Sequence, residues 1–125
     1  MSADFAAVFA KLRSVLATHA KDLAVKTDTA AEYTLDTKSP SPFKQHKGHP
    51  LQFGSVRAGK TYVSYHLMPI YMSAALNQAI SPSLKKHMQG KTCFNFKDVP
   101  ESALIADLER LTQAALDGWR KQKWL

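Results

Sequence analysis

The stretch from residue 59 to residue 97 constrains the fold more than any other part of the chain. It opens with Gly59-Lys-Thr-Tyr-Val-Ser-Tyr-His-Leu-Met-Pro-Ile-Tyr71, an alternating, aromatic-rich segment interrupted by a proline. A short amphipathic piece follows, then Ser81-Pro-Ser-Leu-Lys-Lys-His-Met88, and then Gly90-Lys-Thr-Cys-Phe-Asn-Phe-Lys97. Alternation with period two marks a strand buried on one face. Pro69 has no N–H to give to a ladder and ends that strand. Ser81 is a natural N-cap with Pro82 at the first helical position, which predicts a helical turn reaching His87 or Met88. Gly90 is the expected helix stop. A strand, two short helices and a second strand in so little chain leave no room for anything but a sheet with the helices laid against it.

The remaining segments extend this pattern. Phe5, Val8, Phe9, Leu12, Val15 and Leu16 recur at the helical period, predicting an amphipathic helix over 3–20 with Ser2 or Asp4 as its cap. Residues 23–36 carry strand signals, with Tyr33 and Leu35 alternating with Glu32, Thr34 and Asp36. Residues 37–50 read as a loop because Pro40, Pro42 and Pro50 cannot donate to a ladder. Strands are expected over 51–56 and 61–67, joined by a turn over 57–60, and a short helix over 71–79. The last helix opens after Asp98-Val-Pro-Glu101 and buries Leu104, Ile105, Leu108, Leu111, Ala115, Leu116 and Trp119. The predicted class is α+β, an antiparallel sheet with helices packed on one face. The predicted order is α-β-β-β-α-α-β-α, in a single domain over 1–125.

Charge and cysteine usage narrow the function classes. The formal net charge is +7, but the lysines are dispersed and no run of five like charges occurs, so the surface is read as a solvated one. No nucleic-acid recognition motif appears, and nucleic acid is not an expected partner. No apolar run approaches the roughly 20 residues that span a bilayer, so no membrane partner is expected. Asp4 precedes the first apolar residues and no cationic segment leads them, unlike a secretory signal. Cys93 is the only cysteine, which rules out a disulfide within the chain and fits a reducing, cytoplasmic setting.

The segments 60–71, Ile80-Ser-Pro-Ser-Leu-Lys-Lys-His-Met88 and Gly90-Lys-Thr-Cys-Phe-Asn-Phe96, with the helical piece 108–112, resemble the YdhG-like family of small bacterial domains of unknown function. The resemblance covers roughly residues 30–120, with the motifs in fixed order. It implies an α+β domain with an antiparallel sheet backed by helices. One branch of that family is proposed to act as a frataxin-like iron chaperone, a role that uses an acidic surface. Here ten acidic residues stand against seventeen basic ones, and no tight iron site and no other cofactor are expected.

Strand parity supplies the candidate site. Successive side chains point to opposite faces. If Val63, Tyr65, Leu67, Phe94 and Phe96 face the helices, then Tyr62, His66, Cys93 and Asn95 face away. Leu51 and Phe53 inward put Gln52 and Gly54 outward, and Tyr33 and Leu35 inward put Glu32, Thr34 and Asp36 outward. The expected ligand-binding set is Tyr62, His66, Cys93, Asn95 and Lys91, in a non-catalytic module that holds a small polar or anionic ligand on the outer sheet face. One alternative is a metal carrier using Glu32, Asp36 and His66; another is an enzyme using Cys93 or His66. His46 and His49 lack the third and fourth ligands of a zinc site. Trp124 and Leu125 end the chain as two large apolar groups, expected to pack on the domain or on a second copy in a homodimer.

Overall fold

The computed structural model describes residues 5–41, 44–90 and 92–124. Helix α1 (Phe5–Ala17) buries Val8, Phe9, Leu12, Val15 and Leu16, the stripe its periodicity marks. The expected caps Ser2 and Asp4 lie outside the described residues. After a 3-10 turn (Ala20–Asp22) come the strands β1 (Leu23–Asp28), β2 (Glu32–Pro40), β3 (Pro50–Ala58) and β4 (Val63–Leu67). Three short helices follow, α2 (Met68–Met72), α3 (Ala74–Gln78) and α4 (Pro82–Lys85), then β5 (Met88–Gln89), β6 (Cys93–Phe96) and the long α5 (Ser102–Lys121). The sheet runs β1-β2-β3-β4-β6-β5 and every neighbouring pair is antiparallel.

The chain is therefore α+β, with α1 packed on β3 and β4 and meeting α5, which in turn meets α2, α3 and α4. Tyr65, Phe53, Phe94, Phe96, Leu12, Leu16 and Leu108 are among the largest fully buried side chains between these layers. Trp119 of α5 meets the edge of Phe53 at 5.6 Å between ring centroids. Tyr65 and Thr112 hydrogen-bond across the core at 2.7 Å. Because the Thr112 hydroxyl donates to the Leu108 carbonyl, the Tyr65 hydroxyl is the donor to Thr112.

Four features depart from the expected order. The one helix expected over 71–79 is two, α2 starting at Met68 and α3 at Ala74, divided at Ser73, whose hydroxyl accepts from the Leu76 N–H and caps α3. The segment 23–36 is a hairpin and not one strand. Thr29 makes its turn without Gly or Pro, its hydroxyl oxygen accepting from the backbone N–H of Ala31 and Glu32. The expected loop over 37–50 is shorter than predicted, because β2 continues to Pro40 and β3 starts at Pro50, with a 3-10 turn over Lys44–His46 between them. The two prolines face each other at the ladder's end, where no donor is needed. Lastly, Met88 and Gln89 form β5 against β6, so Gly90, with φ +74°, serves the β5–β6 turn and not the end of a helix.

Candidate functional site

Parity on β4 and β6 holds: Ser64 pairs with Asn95 and His66 with Cys93, alternating with the buried Val63, Tyr65, Leu67, Phe94 and Phe96. The four outward residues thus share the face without helices. On β3 parity fails. Leu35 pairs with Gly54 but Asp36 pairs with Gln52, so Phe53 is the extra residue of a bulge and Gly54 turns inward beside it. A Cβ on Gly54 would meet the His66 carbonyl oxygen at 2.8 Å and the Leu67 and Leu16 side chains at 3.2 and 3.3 Å. Gly54 belongs to the core, not to the outer face, because only hydrogen fits where β3 and β4 crowd α1.

The outward residues divide into two groups. Tyr62, just before β4, is 38% exposed and lines a groove of about 540 Å³ with the half-buried Asn95. The other wall comes from the segment between β6 and α5, with Lys97, Asp98, Val99 and Glu101, and from Lys86, His87 and Met88 around β5. His87 is held there by its backbone carbonyl, which accepts from the Asn95 N–H at 2.7 Å, and by its ring, stacked on Phe96 at 4.6 Å between centroids.

His66 and Cys93 form the second group, one same-face pair further along the strands. The His66 Nδ1 lies 3.3 Å from Cys93 Sγ and 2.9 Å from Thr92 Oγ1. Burial lowers the His66 pKa below its ordinary value of 6.5, which favours the neutral ring at this contact. These two residues do not line the Tyr62 groove. Lys91 lies outside the described residues, as does the side chain of His46.

The carboxylates of the outer face are dispersed. Glu32 accepts from the Thr34 hydroxyl at 2.8 Å and pairs with Arg57 at 3.4 Å. Asp36 stands opposite Gln52 and Ala24. Its buried Oδ1 has no partner among the described residues, and burial raises its pKa above the ordinary carboxylate value, opposed by Lys26. Glu32, Asp36 and His66 do not come together, and among the described residues no three of His, Cys, Asp and Glu gather to hold a metal ion. No helix among them is long and apolar enough to cross a membrane.

Comparison with known proteins returns nothing to lean on: no protein-family model, no curated protein and no solved structure matches this chain. The groove has to be understood from its own chemistry. Its walls offer an exposed aromatic ring, an exposed valine, a half-buried amide and charges of both signs, a combination suited to orienting a small molecule. Sequence reasoning anticipated Tyr62 and Asn95 but not His87, Met88, Val99 or Glu101. For His87 and Met88 the available signal was the Gly90 turn, which read as the end of a helix hides the two-residue strand that brings them against β6.

Proposed function

We propose that the chain is a YdhG-like, non-catalytic binding module whose small polar or anionic ligand occupies the groove at Tyr62 and Asn95. The observation that carries this reading is the meeting of those two residues in one groove of about 540 Å³, a volume within the usual range of small-molecule sites. The Asn95 amide offers a donor and an acceptor, and Tyr62 offers a flat surface. The family assignment rests on the three sequence motifs.

The test is a titration of the ¹⁵N-labelled chain with inorganic phosphate, citrate and a panel of small polar metabolites. A true ligand shifts the amides of Tyr62, Asn95 and Lys97 together, and Asn95→Ala weakens it while the spectrum stays dispersed. If every probe at millimolar concentration leaves these amides unmoved, the groove is only surface relief.

A second reading, an enzyme using Cys93, is favoured by the 3.3 Å contact between its thiol and His66. It demands that alkylation of Cys93 proceed well below the ordinary thiol range of about 8.5 and slow in His66→Gln. A rate that ignores His66 removes it.

A further inference from the structure

The groove at Tyr62 carries four charged side chains, Lys86, Lys97, Asp98 and Glu101. All four are exposed, and among the described residues no ion pair engages any of them. Elsewhere among the described residues most carboxylates are paired, Asp36 and Glu109 excepted, while no ion pair uses a lysine. Asp22, Asp28, Glu32, Asp107 and Asp117 each hold an arginine, and Arg13, Arg57, Arg110 and Arg120 are all so used. In a chain with a formal net charge of +7, the groove keeps two carboxylates beside two ammonium groups. A surface that gathered anions by charge alone would gain from losing those carboxylates, since like charges near an anion oppose it.

The groove also carries apolar groups: Val99, 47% exposed, and Tyr62 line it together with Met88, Phe96 and Leu104. The half-buried side-chain amide of Asn95 makes no hydrogen bond among the described residues. It can donate to a carboxylate or accept from an ammonium group.

Resting on the reading that this groove is the binding site, we infer that its ligand is a zwitterion with an apolar side group, an α-amino acid of aromatic or branched aliphatic type. The ammonium group faces Asp98 and Glu101, the carboxylate faces Lys86 and Lys97, and the side chain covers Tyr62 and Val99.

The experiment is a ¹⁵N titration of the full chain with L-phenylalanine, N-acetyl-L-phenylalanine, which lacks the ammonium group, and L-phenylalaninamide, which lacks the carboxylate. Expected are shifts at Asn95, Lys97 and Val99 with L-phenylalanine and binding about 10-fold weaker for each analogue, the scale of one lost charge-assisted contact. Glu101→Gln should weaken L-phenylalanine and leave N-acetyl-L-phenylalanine unchanged. Glu101 makes no side-chain cap to α5, so the variant keeps its fold, and the spectrum itself reports this. If N-acetyl-L-phenylalanine binds as tightly as the free amino acid and Glu101→Gln changes nothing, the zwitterion inference is overturned while the binding groove stands. If all three compounds leave the groove unshifted but citrate or phosphate shifts it, the zwitterion is again overturned and the groove again stands. If no probe shifts it, both readings fall.

Discussion

At the scale of single residues, buried polar groups give the sharpest tests. The Tyr65 hydroxyl donates to Thr112, whose own hydroxyl donates to Leu108. Tyr65→Phe leaves Thr112 its bond to Leu108 and should cost about 1 kcal/mol. Thr112→Val strands the Tyr65 hydroxyl in a fully buried place and should cost about 1–3 kcal/mol. In urea melts of both single variants and the double, the double should be less destabilised than the sum of the two. An additive result would mean the hydrogen bond contributes nothing of its own. Asp36 offers a test in pH. Its burial holds the folded pKa above the unfolded one, so the folded state binds the extra proton between the two values. Stability is then full below the ordinary carboxylate pKa of about 3.9 and falls as pH rises through the folded value. Asp36→Asn should melt higher than the natural chain at pH 7, with the gain vanishing towards pH 3. An equal gain at both pH values would mean that ionisation of Asp36 is not its cause.

At the scale of elements, the end of α5 shows how a tail is tied down. The Trp124 N–H bonds back to the Trp119 carbonyl and the Lys123 N–H to the Arg120 carbonyl, the paired bonds of a Schellman motif. Its apolar contact is present too, with the Trp119 and Trp124 rings edge to face at 5.8 Å. The expectation that Trp124 packs on the domain is met within the chain itself; Leu125 lies outside the described residues. The left-handed position of this motif, however, is held by Lys123 at φ +65°, where a side chain is strained and glycine is not. Lys123→Gly should therefore raise stability by roughly 0.5–1 kcal/mol, the relief of that conformation less the added freedom of the unfolded chain. Deleting residues 121–125 should lower the melting temperature. Chemical melts that show Lys123→Gly neutral or destabilising would mean that the strain is relieved elsewhere.

At the scale of the whole molecule, the two helical stripes and the two aromatic strands clasp one core. Phe94 is fully buried between them, and Phe94→Ala should cost about 3–5 kcal/mol in an equilibrium urea melt; a loss under 1 kcal/mol would show that the core collapses around the gap. These elements are legible in the sequence because each carries its own period: Leu104 to Trp119 repeat as a helix does, and Val63 to Leu67 alternate as a strand does. A side chain's direction along one element is a local property, so local pattern was enough to separate buried from outward residues there, Tyr62 and Asn95 included. The same reasoning misplaced Gly54, fused β1 with β2 and passed over β5. Each of those depends on a group supplied from elsewhere in the chain or from an unusual donor: the bulge at Phe53 on the pairing of β3 with β2, the first turn on one threonine hydroxyl, and β5 on the hydrogen bond from Asn95 to His87. The groove follows from them, since its walls meet only once β5, β6 and the start of α5 have found their register. Periodicity assigns each side chain a face, whereas non-local hydrogen bonding and packing choose its neighbours, and it is the neighbours that make a site.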